Sequence, residues 1–310
     1  MKKVISIVTG CYNEEENVVP LYHAVKEVFE GLPQYDYEHI YIDNCSTDHT
    51  SELLEQIAAE DTRVKVIFNS RNFGHIRSGY YALMKANGDA VIGMASDFQD
   101  PPEMIPKFIE KWEEGNQVVL GVKTKSKENK LMFGIRKMYY RVIRKISDVE
   151  MIDNATGFGL YDRRVIEAIR DMKDPYPYFR GILSEVGFNR ALIPFVQPKR
   201  ARGVTKNNFF TLYDMAMLGI TSNSRVPIRI ATMLGFVLSI LSLIVAIVYL
   251  VLKLLYWNEL EMGLAPLVIG LFFFGAIQLF FIGLIGEYIG TILVKVTNRP
   301  LVIEKKKINF

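Results

Sequence analysis

The stretch ASDFQDPPE, residues 95 to 103, closes the apolar run DAVIGM and delivers Asp97, Gln99 and Asp100 just before two prolines. Asp97 and Gln99 alternate, so on an extended segment two oxygen ligands project to one side. Hard divalent ions such as Mg²⁺ or Mn²⁺ take oxygen ligands and usually share them with substrate phosphates. An ion held there would neutralise a departing diphosphate. Pro101 and Pro102 stop the strand and set the turn. Three more polar clusters follow apolar runs: CYNEEEN from Cys11, DNCSTD from Asp43 and SRNFG from Ser70. Asp and Asn in loops often serve only as turn formers or helix caps, and Asp48 before HTSELLEQI reads as such a cap. Lys199, Arg200, Arg202 and Lys206 place four cations within eight positions, with Gly203 permitting close backbone approach. This pattern suits specific phosphate binding or a polybasic patch against anionic lipid headgroups.

The elements needed to position these groups are legible upstream of each cluster. Strand patterns run through VISIVTG (4 to 10), EHIYID (38 to 43), VKVIFN (64 to 69), DAVIGMA (89 to 95) and QVVLGV (117 to 122). Between them lie helical spacings such as Val18, Leu21, Tyr22, Val25, Val28 and Phe29. Alternation of this kind predicts an α/β fold with a parallel sheet covered on both faces. Ligands of such sheets bind beyond the C-terminal strand ends, where the four polar clusters fall, so one crevice is expected.

Composition narrows the setting. Among 310 residues the net charge is only +3, too slight to argue for nucleic acid, and no signature of nucleic-acid binding accompanies it. The absence of a Walker loop and of GxGxxG disfavours an ATPase and a dinucleotide oxidoreductase. Cys11 and Cys45 fit a reducing compartment, make no metal spacing and read as packing residues that strand ends bring near each other. The opening MKKVISIVTG passes into a strand without a leader-like apolar stretch and cleavage site, so no signal peptide is expected.

Two runs near the C-terminus, Ile230 to Trp257 and Leu264 to Gly286, are apolar all round and reach the roughly 20 residues that cross a bilayer. The connector NELEMG carries no Lys or Arg, whereas Arg225 and Arg229 precede the first run and Lys295, Arg299 and Lys305 to Lys307 follow the second. The positive-inside rule then expects a two-pass hairpin in the cytoplasmic membrane with both termini cytoplasmic. Lys253 snorkels toward the far headgroups and Glu287 reaches the near interface. Phe209, Leu212, Tyr213, Ala216, Met217 and Ile220 have helical spacing, suited to an interfacial helix or to packing under the domain.

The ordered set YNEEEN (12 to 17), IDNCSTD (42 to 48), SRNFGH (70 to 75), SDFQDPPE (96 to 103), RARGVTK (200 to 206), GEYIG (286 to 290) and NRP (298 to 300) resembles glycosyltransferase family 2, with its GT-A fold. More narrowly it is similar to the polyprenyl-phosphate glycosyltransferases related to dolichol-phosphate mannose synthase and bactoprenol glucosyl transferases. The resemblance implies that Tyr12, Asn13 and Glu14 line a nucleotide pocket, with Asp43 and Asn44 near base and ribose. Arg71 and Ser96 join the substrate contacts, and Asp97 and Gln99 hold Mg²⁺ or Mn²⁺ on the donor diphosphate. Asp100 is placed beside the reacting sugar, its other reading being a cap for the helix in PPEMIPKFIEKW. Arg200, Arg202, Thr205 and Lys206 meet phosphate groups, Arg200 and Lys206 orienting the acceptor.

Departures from the family pattern accompany these matches. Asp43-Asn44-Cys45-Ser46 stands for the usual Asp-Asp-Gly-Ser, and Ala95-Ser96-Asp97 for Asp-x-Asp. Thr156-Gly157-Phe158-Gly159-Leu160 stands for Gly-Asp-Phe-Arg-Leu, with Asp153 as a candidate compensation, and Thr291 replaces a common Arg. The expected activity is metal-dependent, inverting transfer of one sugar from a nucleotide diphosphate, UDP above all, to a polyprenyl phosphate such as undecaprenyl phosphate. Other acceptors, such as a diacylglycerol or a growing glycan, and a catalytically silent nucleotide-sugar-binding scaffold remain alternatives. A processive synthase is disfavoured because Gln-x-x-Arg-Trp is missing. The lipid bilayer is an expected partner, and a homo-oligomer is compatible with the reading. The Lys-rich KTKSKENK (123 to 130) reads as a loop closing over the donor or as a solvated linker. Expected divisions are a GT-A domain (1 to 207), a juxtamembrane segment (208 to 229), two membrane helices (230 to 290) and a cytoplasmic tail (291 to 310).

Overall fold

The computed structural model describes residues 2–125, 155–198, 209–256, 264–297 and 299–310. The chain begins with β1 (Lys3–Cys11), α1 (Val18–Glu30), β2 (Tyr35–Asp43), α2 (Thr50–Glu60), β3 (Val64–Asn69), α3 (His75–Lys85) and β4 (Ala90–Ala95). A 3-10 turn (Pro102–Met104), α4 (Ile105–Glu113), β5 (Val118–Lys125), β6 (Ala155–Asp162), α5 (Arg163–Asp171), α6 (Phe179–Glu185) and β7 (Arg190–Val196) follow. Then come α7 (Phe209–Asn223), α8 (Val226–Leu255), α9 (Leu264–Val296) and β8 (Glu304–Ile308).

Period-two alternation in the strands builds two cores. Ile5, Ile7, Tyr41, Val66 and Ile92 face a cluster that includes Leu21, Val25, Leu54 and Phe108 of α1, α2 and α4. Val8, Ile40, Ile42, Ile67 and Val91 face the other side, against Tyr80, Leu83, Val165, Ile169 and Ile182 of α3, α5 and α6. The near-continuous apolar runs are thus the mark of strands buried on both faces. Phe158 anchors the first core, edge-on to Phe108 at 4.8 Å and to Phe195 at 5.5 Å between centroids.

The sheet order is β7-β5-β6-β4-β1-β2-β3-β8. Its centre is parallel, β1 pairing with both β2 and β4 and β2 with β3. The all-parallel expectation is corrected at two places: β6 runs antiparallel between β4 and β5, and β8 antiparallel along β3. Both inserted strands read weakly by propensity, one holding two glycines and the other three lysines. At the start of the sheet Glu38 accepts from Ser6 Oγ and Asn87 N and pairs with Lys65 at 2.6 Å, tying that end shut.

β8 draws the last residues into the domain instead of leaving them as a tail. Ser70 N donates to Ile303 O (2.9 Å), Tyr81 OH to Glu304 (2.7 Å), and Asn309 Nδ2 to Ala58 O and Val64 O (2.7 and 2.8 Å). Lys306 pairs with Glu55 at 2.8 Å. Charged residues suit this exposed edge, which would otherwise template pairing with another chain.

Val226–Leu255 and Leu267–Val296 are long and apolar enough to cross a membrane, with mean hydropathy 2.8 and 2.5, and the protein buries none of their most apolar windows. The second helix continues past 290, and α7 packs on its end: Tyr213 OH donates to Glu287 (3.1 Å), Tyr288 OH to Ser224 O (2.8 Å), and Thr221 and Thr291 share a hydrogen bond (3.0 Å). Thr291, where the family resemblance implies Arg, therefore makes a helix contact.

Candidate active site at the strand ends

Strand order reverses at β1, whose neighbours β2 and β4 connect in opposite directions, the arrangement that opens a crevice at the C-terminal strand ends. Gly10 aligns with Ala95 and Cys11 with Asp43. The loops carrying Tyr12 to Glu14, Asp43 to Asn44 and Ser96 to Gln99 therefore leave the sheet at one level, side by side. Three residues in them hold left-handed backbone: Asn13 (φ 55), Cys45 (φ 65) and Phe98 (φ 60). Such conformations cost about 1–3 kcal/mol each and gather at functional sites. Cys45 stands where the family resemblance implies glycine, the residue that would adopt this geometry without a Cβ penalty.

Hydrogen bonds stitch the first two loops together. Asn13 N donates to Ser46 Oγ (2.9 Å), Asn13 Nδ2 to Thr47 Oγ1 (3.1 Å), and Thr47 N returns to Asn13 Oδ1 (2.8 Å). Glu14 N donates to Thr50 Oγ1 (2.8 Å), while the Glu14 carboxylate accepts from Asn17 (2.6 Å). Asp43 is buried and accepts from Ser46 N, Ser46 Oγ and Ser51 Oγ. Asp48 accepts from Thr50 N (3.1 Å) at the start of α2 and from Glu15 N (3.3 Å). Tyr12 is half-buried beside them.

Asn44 links the second loop to the third. Its Nδ2 donates to Asn72 Oδ1 (2.8 Å), and its Oδ1 accepts from Asn69 Nδ2 (3.1 Å) and Phe73 N (2.9 Å). Asn72 Oδ1 also accepts from Gly74 N (2.8 Å). An amide is needed here, since a carboxylate cannot donate to Asn72. Arg71 stands exposed, its guanidinium 4.0 Å over the Phe73 ring and bonded to Asn72 O (3.0 Å). Burial pushes the Cys11 thiol well up, with Asp43, Glu14 and Asp48 adding to the shift, so it is a packing thiol. Both cysteines are free.

The 96 to 100 segment corrects one expectation: it is a turn, not an extended run. Asp97 Oδ1 accepts from the backbone Gln99 N (3.2 Å), so Asp97 closes the turn that carries Gln99 and the two residues do not sit in strand alternation. Asp100 does not cap α4. Its carboxylate turns back to accept from Ala95 N (2.9 Å), and burial pushes it up to about 6, opposed by the Ala95 N–H and by Lys123 and assisted by Asp97. Ser96 is buried at the same turn.

Among the described residues no group of three His, Cys, Asp or Glu could hold a metal. Asp97 and Gln99 nevertheless offer a carboxylate and an amide oxygen from one turn. Such a pair fits a hard ion that completes its shell with water and substrate phosphate.

Lys123, missed as a site neighbour, belongs to β5 with Thr124 and Lys125, so the lid reading does not hold for 123 to 125. β-branched Val122 and Thr124 alternating with Lys123 and Lys125 carry the strand pattern past residue 122. Gly159 leaves no room here for the Arg that the family resemblance implies: a Cβ would lie 2.3 Å from Val119 O. His75 opens α3 beside the third loop. Arg200, Arg202, Thr205 and Lys206, together with Asp153, residues 126 to 130 and the NELEMG connector, lie outside the described residues.

Comparison with known proteins agrees with this architecture. Residues 6–170 match the family described as Glycosyl transferase family 2. The SfII prophage-derived bactoprenol glucosyl transferase of Shigella flexneri is 35% identical over 303 residues, 97% of each chain. The uncharacterized glycosyltransferase YkcC of Bacillus subtilis (strain 168) is 34% identical over 302 residues, 97% of this chain and 93% of its own. Among solved structures, the mannosyltransferase PcManGT from Pyrobaculum calidifontis in complex with GDP-Man and Mn²⁺ aligns with a TM-score of 0.49 at 15% identity, over 71% of this chain and 63% of its own. The mixed sheet, helices on both faces and strand-end crevice form a GT-A-like domain, and with relatives matched along nearly their whole length the chain belongs to glycosyl transferase family 2.

Proposed function

We propose that the protein transfers one sugar from a nucleotide-diphosphate sugar, a UDP-sugar above all, to a polyprenyl phosphate such as undecaprenyl phosphate, with inversion at the anomeric carbon. The observation that carries this reading is the register that sets Tyr12, Asn13 and Glu14 between the Asp43–Asn44 loop and the Ser96–Asp97 turn. Whole-length similarity to bactoprenol glucosyl transferases supports the acceptor.

The acceptor phosphate supplies its own nucleophile. A phosphate monoester has a second pKa near ~6 and is anionic at neutral pH, so the site needs no strong general base. Its oxygen forms a bond to the anomeric carbon as the bond to the donor diphosphate breaks. Catalysis then rests on positioning and on electrostatic stabilisation. Arg200, Arg202, Thr205 and Lys206 orient the acceptor phosphate in this reading, and Arg71 is presented beside the crevice by Phe73. Asp97 and Gln99 are the residues that would hold Mg²⁺ or Mn²⁺, which when bound screens the leaving diphosphate's charge. Asp100 holds the turn that presents them.

The catalytic unit comprises residues 1 to 207 together with β8. Helices α8 and α9 form a two-pass hairpin in the cytoplasmic membrane. Val296 ends the second helix only a few residues before Glu304 joins the sheet, which supports both hairpin ends lying on the catalytic side. Flanking Arg225, Arg229, Lys295 and Arg299 make that side cytoplasmic.

The test is transfer to undecaprenyl phosphate by purified protein with a panel of UDP- and GDP-sugars and Mn²⁺. A glycolipid product, lost in Asp97→Ala and Lys206→Ala variants that remain folded, is the expected result. Nucleotide binding without product for any donor would redirect the assignment to another acceptor or to a silent scaffold.

A further inference from the structure

Beside the end of α9 lies a groove of about 560 Å³, lined by none of the residues assigned above to sugar transfer. Four cations line it: Lys85 of α3, Arg170 of α5, Lys173 after α5 and Arg299. Its carboxylate, Asp174, is engaged by Lys295 at 3.0 Å. Lys85 has only a long contact to Glu304, at 3.8 Å, and Glu304 also serves Lys307 and Tyr81. Lys173 and Arg299 are exposed and make no side-chain hydrogen bond or ion pair among the described residues. Arg170 Nε is buried without a protein acceptor, although its Nη2 is spent on Met84 O (2.7 Å). The groove thus carries surplus positive charge beside apolar lining residues that include Met84 and Leu301.

Its position indicates the occupant. Lys295 sits in the last turn of the apolar helix α9, and Arg299 follows three residues after that helix ends at Val296. A bilayer around α9 would therefore bring its headgroup layer to the groove mouth. The Lys85 end of the groove lies away from the reaction crevice, ten residues beyond His75 on one helix and about 15 Å along its axis, while its Pro300 end accepts from Arg77 Nη2 (2.6 Å) in the first turn of α3.

We propose that this groove binds the phosphodiester headgroup of an anionic phospholipid of the surrounding bilayer, fastening the catalytic domain to the membrane surface. The inference rests on the membrane reading of α8 and α9 but not on sugar transfer. Its test uses full-length protein delipidated in a neutral detergent. Native mass spectrometry follows titration with phosphatidylglycerol, phosphatidylcholine or inorganic phosphate. Phosphatidylglycerol should be retained in preference to phosphatidylcholine. Removing each cation should weaken it roughly fivefold, so Lys173→Gln with Arg299→Gln should weaken it roughly thirtyfold. Lys26→Gln with Lys107→Gln, on α1 and α4 of the opposite sheet face, should leave affinity unchanged. Near-UV circular dichroism confirms that each pair of substitutions leaves the fold intact. Equal retention of the two lipids, or undiminished phosphatidylglycerol binding in the Lys173/Arg299 variant, overturns the proposal. Inorganic phosphate binding as tightly as phosphatidylglycerol overturns it in favour of a soluble phosphate. Failure of the membrane reading would show separately, as protein that does not sediment with membranes.

Discussion

Asn44→Asp installs the acid that the family resemblance implies at this position, and the structure predicts that it destabilises this chain. Asn44 is 5% exposed and donates to Asn72 Oδ1 at 2.8 Å, while Asn72 Oδ1 already accepts from Gly74 N. A carboxylate would retain the bonds from Asn69 and Phe73 N, lose the donor, and set two acceptor oxygens against each other. Turning the Asn72 amide would repair that contact only by losing Gly74. An unmade buried hydrogen bond costs about 1–3 kcal/mol, more when a charge is involved, so a loss of about 3 kcal/mol is expected near pH 7.5. For a domain of this size that lowers Tm by roughly 6–12 °C.

The introduced acid, buried with no cationic partner in this network, has its folded pKa raised above its unfolded value. Its stability contribution is complete below the unfolded pKa and is lost as pH rises through the folded pKa. The gap to wild type should therefore close toward pH 4, where the protonated acid can donate to Asn72. The assay is thermal unfolding of detergent-solubilised protein across pH 4 to 8, followed by tryptophan fluorescence. Trp112, whose indole N–H donates to Asp162 at 2.8 Å, reports the core. Adding Asn72→Ala removes the opposing oxygen, so the double-mutant cycle should show about 1–2 kcal/mol of coupling. Wild-type stability in Asn44→Asp with an unchanged pH profile, or strict additivity with Asn72→Ala, would refute the reasoning.

Three further outcomes follow from other contacts. Asp61, held at about 2 chiefly by hydrogen bonds from the Arg63 guanidinium, contributes stability above its unfolded pKa of 3.8 that is lost as pH falls through about 2. Because Arg63 is half-exposed, Asp61→Asn should cost only about 1 kcal/mol at pH 7, and urea titration should show that difference vanishing in acid. Gly159→Ala forces a Cβ against Val119 O and should cost about 3 kcal/mol or abolish folding, read by expression and circular dichroism. Asn309→Ala removes two bonds to main-chain carbonyls and should cost about 1–2 kcal/mol, with faster hydrogen exchange in the β3 amides at the β8 edge.

The amino-acid sequence by itself determined the α/β class, the central strands, the apolar helices and the family. These depend on local periodicity and on motifs whose residues lie close together along the chain. VKVIFN, for example, is β3 to the residue because its β-branched residues, Val64, Val66 and Ile67, and its Phe68 are buried on both faces. Only tertiary structure decided how long-range neighbours share their polar groups. Asp100 reads as a helix cap until its carboxylate is seen to fold back onto Ala95, and Asn44 reads as a weakened motif until Asn69, Asn72 and Phe73 surround it. Glu304–Ile308 has the composition of a solvated tail, yet it forms a strand because β3 presents an unpaired edge. Edge pairing draws on backbone hydrogen bonds that every residue but proline can make, so side-chain pattern carries little trace of it.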